Sequence, residues 1–147
     1  SDFSIFFLGS RNSVIENAIT TVKQKIPSIN VMGHHGFFNK SNKENDDVIN
    51  MINLFNPDII IVGFGMPLQE KWIKDNMENL NAFIYLNGGA FLEWLSGNQK
   101  QAPSWMTKLG LEWFYRFIKE PRRLFKRYII GNPLFIYRII KQRIKGK

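Results

Sequence analysis

The chain has 147 residues, of which 44% are hydrophobic and 14% aromatic; this suits one folded domain and excludes a disordered chain. It contains no cysteine, which excludes disulfide and thiolate chemistry and fits a reducing compartment. The formal net charge of +8 is concentrated near the C-terminus, where it favours phosphate-bearing partners.

The first residues, SDFSIFFLGS, lack the basic start and small-residue cleavage site of a signal peptide. No stretch approaches the roughly 18–20 apolar residues that span a bilayer. Because the chain does not begin with Met, we expect a processed piece or a fragment of a longer protein.

Apolar runs and amphipathic segments alternate over the first 89 residues. The runs predict strands at residues 3–9, 29–33, 58–65 and 82–89. Helical spacing predicts helices at residues 11–26, before Pro57 and at residues 67–79, with Ser10 or Asn12 capping the first. Strands without clean alternation, separated by helices, indicate a parallel sheet covered on both faces.

The predicted fold class is therefore α/β, a Rossmann-like parallel sheet flanked by helices and followed by a basic helical appendage. A soft boundary lies near residues 97–103, with the sequence GNQKQAP. We accordingly predict a Rossmann-like portion over residues 1–102 and the appendage over residues 103–147.

Glycines stand at the ends of three predicted strands: Gly9, Gly63, Gly65, Gly88 and Gly89. Ligands of open parallel sheets bind beyond the carboxyl ends of the strands. Glycine allows close backbone approach there, and free N–H groups at a helix start favour a phosphate. Tight turns explain the same glycines, and GFGMPLQ lacks the third glycine of a dinucleotide fingerprint. The residues themselves leave both interpretations open.

Gln69 and Glu70 fall in the first turn of the helix after Pro67. An acidic residue there is favourable to the helix dipole without any function. Gln69 is either a surface helix residue or a ligand contact whose amide donates and accepts hydrogen bonds. His34 and His35 are adjacent, with no cysteine to join them, so we predict loop or pocket-rim histidines and no metal site.

The C-terminal region mixes aromatic and basic residues. Residues 106–147 hold twelve basic and two acidic residues, a net charge of +10. From Pro121 a helical face is predicted, and residues 131–133 are expected to break the helix; the face comprises Leu124, Phe125, Tyr128 and Ile129. The pattern is typical of a helix lying on anionic lipid, where each basic residue contributes about 1 kcal/mol. A docked helical subdomain and a nucleic-acid surface remain alternatives.

Three stretches taken together are more specific: PDIIIVGFGMPLQEKWI, NGGAFLEWLSG and APSWMTKLGLEWFYRFIKEPRRLFKRYIIGN. In order and spacing they resemble the WecG/TagA/CpsF family of bacterial glycosyltransferases, over essentially the whole chain. The resemblance implies transfer of an N-acetylmannosamine-type or related hexose from a UDP-sugar to a polyprenyl-diphosphate-linked acceptor. It also implies a cytoplasmic enzyme, peripheral at the inner face of the bacterial plasma membrane, that serves teichoic acid or exopolysaccharide synthesis.

The resemblance assigns roles to particular residues. Gln69 matches the family's pocket glutamine, and Glu93 stands where the family usually has an aspartate associated with the nucleotide. The strand-end glycines, Gly9 among them, fall in the nucleotide-binding stretches. The tail arginines thought to close over the diphosphate are matched by Arg116, Arg123 and Arg127. No metal or other cofactor and no nucleic acid is expected, whereas self-association is possible.

Two departures from the family pattern matter. Gln101 replaces an arginine, and family members carry a further N-terminal half that holds the usual catalytic aspartate. The catalytic residue is thus unknown within this chain, and we expect weak turnover or none from it alone. The alternatives are a truncated, non-catalytic module that binds UDP or membrane, and a basic nucleic-acid-binding protein.

Overall fold

The computed structural model describes residues 3–98, 102–119 and 121–145. The chain divides into two compact units, Ser1–Lys100 and Gln101–Lys147. Within residues 3–98 the first unit contains four strands and four α-helices: β1 (Ser4–Gly9), α1 (Asn12–Lys25), β2 (Asn30–His34), α2 (Lys43–Phe55), β3 (Ile59–Gly63), α3 (Leu68–Asn76), β4 (Ile84–Asn87) and α4 (Phe91–Leu95). A short 3-10 turn, Met77–Asn79, continues α3.

The sheet is entirely parallel, with the strand order β2-β1-β3-β4. Helices cover both of its faces. On one face α2 and α3 pack against side chains that include Phe6, Leu8 and Ile60, and on the other α1 and α4 pack against Phe7, Val31 and Ile61. Neighbouring residues of one strand therefore serve opposite cores, which explains the continuous apolar runs. The predicted α/β fold is confirmed.

Strand β4 departs from the prediction of strands buried on both faces. Ile84 and Leu86 are exposed at this edge of the sheet. The apolar run predicts a strand correctly, but it does not distinguish an edge strand from a central one.

A carboxylate joins β1 to β3 at the amino end of the sheet. Asp58 Oδ2 accepts hydrogen bonds from Ser4 N (2.8 Å) and from Ser4 Oγ (2.9 Å). The hydrogen bond from the Ser4 backbone N–H is the main cause of a lowered pKa of Asp58, and the bond from the Ser4 hydroxyl adds to it. The contact therefore stabilises the amino end of the sheet, which is opposite the carboxyl ends of the strands.

A buried polar network joins α2 to α3. Trp72 Nε1 donates to Asn45 Oδ1 (2.7 Å), Asn45 Nδ2 donates to Asn76 Oδ1 (2.9 Å), and Asn76 Nδ2 donates to the Trp72 carbonyl (2.7 Å). Since unpaired buried polar groups are costly, a satisfied network of this kind fixes the relative position of the two helices.

The second unit is helical. Its elements are α5 (Ser104–Lys108), α6 (Glu112–Lys119), α7 (Pro121–Phe125), a π-helical segment (Lys126–Gly131) and α8 (Asn132–Lys145). The predicted break at residues 131–133 is wrong, because the chain passes from the π-helical segment directly into α8. On the predicted face from Pro121, Leu124 is buried, whereas Phe125 and Ile129 are about half exposed, and the side chain of Tyr128 lies outside the described residues.

Candidate functional site

The chain changes direction in the sheet between β1 and β3. From β1 it passes to β2 on one side and then crosses back to β3 on the other side. The carboxyl ends of β1 and β3 are in register, so that Gly9 lies opposite Gly63. In open α/β sheets the crevice outside such a switch point is where ligands bind.

Three of the predicted site glycines are explained by packing. A Cβ on Gly9 would lie 2.6 Å from the Gly63 backbone, one on Gly63 would lie 2.9 Å from Leu92 Cδ1, and one on Gly88 would lie 2.7 Å from Ile61 Cγ2. Gly9 needs glycine whether or not a ligand binds, because its Cβ would meet backbone atoms, whereas at Gly63 and Gly88 a neighbouring side chain would have to shift. Their contribution to the site is to let the two strand ends and α4 approach closely.

Gly65 and Gly89 differ from those three in the space around them, since a Cβ on either would meet no heavy atom within 4 Å. Both have positive φ angles, +83° and +46°, as Gly9 also does at +148°. Their conformation requires glycine, and the space in front of their backbones is open. They are therefore the two predicted glycines at which a ligand can approach the main chain.

Ser10 and Glu93 meet where β1 ends. The Ser10 hydroxyl donates to Glu93 Oε1 at 2.5 Å, which joins the end of β1 to α4. Neither predicted cap is observed, since Arg11 is the N-cap residue of α1 and Asn12 bonds Glu16 instead. Glu93, predicted at the nucleotide, thus lies next to Ser10 at the switch point.

Gln69 is only 3% exposed, so the surface alternative for this residue is wrong. Its Oε1 accepts from Gly65 N (3.1 Å), and its Nε2 donates to Glu70 Oε1 (3.2 Å). Glu70 Oε2 is buried and has no hydrogen-bond partner among the described residues. The amide therefore holds the Gly65 turn in place, whatever contact it also makes with a ligand.

A cleft of about 530 Å³ opens at the switch point, and we call it the switch-point cleft. It is lined by Ser10, Gly36, Phe37, Phe38, Asn39, Lys40, Glu44, Gly63, Phe64 and Leu68. Half of these residues belong to the segment between β2 and α2, for which the sequence predicts only loop or pocket-rim histidines. The aromatic rings and Lys40 in that segment are site residues that sequence reasoning missed.

His34 and His35 lie at the end of β2, next to this segment. Their rings are 4.2 Å apart, and the His34 ring meets Phe38 at 5.6 Å. Burial and the neighbouring His35 lower the pKa of His34. Within the described ranges no group of three or more potential metal ligands occurs, so the structure identifies no set of residues that could hold a metal ion.

The predicted diphosphate contacts belong to the second unit. The side chains of Arg116, Arg123 and Arg127 lie outside the part of the chain that the structure describes, and so does Gln101. The described apolar side chains of α8 are exposed: Leu134, Phe135, Ile136, Tyr137, Ile139 and Ile140. None of the helices in the described ranges is long and apolar enough to cross a bilayer.

Comparison with known proteins gives one consistent result. The model of the glycosyl transferase WecG/TagA/CpsF family matches residues 1–147. Proteins of Staphylococcus aureus strains MW2, NCTC 8325 / PS 47 and MRSA252, each named N-acetylglucosaminyldiphosphoundecaprenol N-acetyl-beta-D-mannosaminyltransferase, are 36% identical to this chain over 143 residues. The match covers 97% of the chain but 54% of each relative, so the chain spans about half of their length. The chain belongs to the WecG/TagA/CpsF family of glycosyl transferases.

Proposed function

We propose that the protein acts in the transfer of an N-acetylmannosamine-type or related hexose from a UDP-sugar to a polyprenyl-diphosphate-linked acceptor, in cell-surface polysaccharide synthesis. The observation that carries the proposal is a family match across all 147 residues together with a cleft at the switch point of the sheet. The names of the relatives support the sugar and the lipid-linked acceptor.

In this proposal the switch-point cleft and its surroundings bind the donor. Gly65 and Gly89 present open backbone to the nucleotide, and Gln69 holds the Gly65 turn in place. Glu93, oriented by Ser10, accepts hydrogen bonds from the nucleoside. Arg116, Arg123 and Arg127 are proposed to neutralise the diphosphate, since guanidinium groups bind phosphate oxygens bidentately.

The proposed reaction forms a bond between an acceptor hydroxyl oxygen and the anomeric carbon of the donor sugar. The bond from that carbon to the UDP oxygen breaks, and UDP leaves with the bonding electron pair. A general base must take the hydroxyl proton, and positive charge must stabilise the leaving diphosphate. We place the base in the part of the family domain that this chain does not cover, where the resemblance puts the catalytic aspartate.

The second unit is proposed to bring the protein to the membrane that carries the acceptor. The described side chains of its α8 include exposed apolar and exposed basic residues together, as in interfacial helices. The attachment is peripheral in this proposal, at the inner face of the plasma membrane.

Two measurements on the 147-residue chain test these statements. Calorimetric titration with UDP tests the nucleotide site, and absence of binding by a folded sample contradicts it. Incubation with UDP-N-acetylmannosamine and N-acetylglucosaminyl-diphosphate-lipid, followed by mass spectrometry of the lipid, tests transfer. UDP binding without transfer identifies a binding module, and rescue of transfer by the remaining half of a relative then locates the base there.

A further inference from the structure

Lys40 has an unusual position in the loop between β2 and α2. Its Nζ donates hydrogen bonds to the Gly36 carbonyl (2.7 Å) and to the Phe38 carbonyl (3.0 Å). The same ammonium lies 4.3 Å from the ring centroid of Phe38 and 4.5 Å from that of Phe64. The side chain is thus held in one place by two carbonyls and two aromatic faces.

This place is at the switch point itself. Gly36, which accepts from Lys40, donates its own N–H to the Ser10 carbonyl (2.9 Å). A Cβ on Gly36 would lie 3.0 Å from Gly9 Cα, so the loop rests directly on the end of β1. Lys40 lines the cleft together with Ser10 and Gly63.

The ammonium has no carboxylate partner among the described residues. Glu44, the acidic residue that lines the same cleft, accepts a hydrogen bond from Asn39 N at 2.6 Å. Two of the three N–H groups of Lys40 bond carbonyl oxygens, and the third has no acceptor within the described ranges. Burial lowers the pKa of Lys40, in agreement with an ammonium that is partly removed from water. An anion in the cleft would meet the third N–H group and stabilise the charge.

We propose that Lys40 binds the diphosphate of the nucleoside diphosphate donor in the switch-point cleft. This inference rests on the proposed function and adds to it a cation from the first unit, fixed before the ligand arrives. Lysine binds phosphate as a point charge with a free donor, and both are present here. The carbonyl contacts and the aromatic faces hold the charge in position, so little conformational freedom is lost on binding.

The test compares UDP, uridine and inorganic pyrophosphate by calorimetry. In Lys40→Met we expect UDP affinity to fall by about 10- to 100-fold, the range for a lost hydrogen bond to a charged group, with uridine affinity within twofold of wild type. Lys43→Met removes the same charge three residues away on α2 and should leave all three affinities unchanged. Lys40→Arg keeps the charge and should retain most of the UDP affinity.

A second measurement needs no substitution. Lysine acetylation of the wild-type chain, mapped by peptide mass spectrometry, should show Lys40 protected by UDP and by pyrophosphate but not by uridine, while Lys43 is modified equally throughout.

The outcomes separate the two proposals. Unchanged UDP affinity in Lys40→Met, equal loss of uridine affinity, or no protection of Lys40 overturns this inference. Pyrophosphate binding that needs Lys40, in a chain that binds neither UDP nor uridine, supports the anion site and contradicts the nucleotide donor. A wild-type chain that binds none of the three ligands overturns both.

Discussion

The hydroxyl of Ser10 donates a 2.5 Å hydrogen bond to Glu93 Oε1 and so joins two residues 83 positions apart. This contact ties the end of β1 to α4 beside the switch-point cleft. It gives Glu93 a structural role in addition to the nucleotide contact proposed for it.

We expect Ser10→Ala to lower the free energy of unfolding by about 1–3 kcal/mol, because a hydrogen bond to a carboxylate is lost. Serine and alanine both carry a Cβ and have a similar cost at the positive φ of position 10 (52°), so the comparison reports the hydroxyl and not the backbone. Urea unfolding followed by circular dichroism measures the change. Ser13→Ala, the same substitution at an exposed site of α1, should change stability by less than about 0.5 kcal/mol. Equal stability of Ser10→Ala and Ser13→Ala would contradict this contact.

The two open glycines allow a test that separates backbone strain from ligand contact. Gly65→Ala, Gly89→Ala and Gly97→Ala each place a Cβ at positive φ with no neighbour within 4 Å. Each should lose about 1–2 kcal/mol of stability, the cost of a left-handed conformation without glycine. Gly65 and Gly89 follow the ends of β3 and β4, where the donor is proposed to bind, whereas Gly97 follows α4, so only the first two variants should also weaken UDP binding. A Gly97→Ala variant that loses UDP affinity equally would show a general effect of strain.

Gln69 should be a supporting residue of the cleft. Gln69→Ala removes the acceptor of Gly65 N–H, and we expect a loss of about 1–3 kcal/mol of stability together with weaker UDP binding. Gln24→Ala on the exposed surface of α1 is the matched control and should lie within about 0.5 kcal/mol of wild type. If Gln69→Ala keeps full stability and loses only UDP affinity, the amide contacts the ligand and does not support the turn.

Asp58 predicts a pH dependence of stability. Its hydrogen bonds from Ser4 hold the pKa in the folded state below the ordinary value of 3.8. A carboxyl group with a lowered pKa stabilises the fold at pH above 3.8, and this contribution is lost as pH falls through 3.8 towards the folded-state pKa. The stability difference between wild type and Asp58→Asn should therefore shrink between neutral pH and pH below 3.8. Asp47→Asn, at an exposed position of α2, serves as the control in urea unfolding at each pH. A difference that is constant with pH would contradict the prediction.

The membrane proposal predicts a position-dependent effect of charge. Replacing Arg138, Lys141 and Arg143 of α8 by Gln removes three exposed charges, and at about 1 kcal/mol each the partitioning to anionic vesicles should fall by about 100-fold. Vesicle flotation at low and high salt measures it.

The matched control removes the same number of charges from the first unit, at Lys43, Lys71 and Lys74. This variant should float with the vesicles like wild type. Equal loss of vesicle binding in both variants would show a dependence on net charge alone. A wild-type chain that binds an oligonucleotide but not the vesicles would favour the nucleic-acid alternative.

The sequence predicts the fold well where local pattern and burial agree. The runs around Phe6 and Ile60 form central strands because each supplies side chains to both faces. The run at Ile84 has the same pattern but lies at an edge, and strand position depends on the whole topology. The π-helical segment that continues into α8 at Asn132 also has no signal in the local sequence. The glycine and proline at positions 131 and 133 are typical of a helix break, which the structure does not show.

The site is predicted less completely, because its defining contacts are long-range. A serine or asparagine before a helix is typical of a cap, which predicts Ser10 or Asn12 in that role, but the Ser10 hydroxyl bonds Glu93. Lys40 sits among polar loop residues, and nothing in that pattern shows that two carbonyls and two rings surround it. The strand-end glycines are evident in the sequence, yet the sequence does not separate those with close packing neighbours from Gly65 and Gly89.

Trp72 gives the switch-point cleft an intrinsic optical signal. Its indole is 2% exposed and meets the cleft residue Phe64 edge-on at 5.7 Å, whereas Trp105 and Trp113 of the second unit are 59% and 49% exposed. An indole shielded from water fluoresces at shorter wavelength than a hydrated one, so the blue side of the emission band reports on the first unit. Acrylamide quenches exposed indoles selectively, so the emission that resists it comes mainly from Trp72, with a contribution from the partly buried Trp94 of α4, and can follow events at Phe64 without any added label.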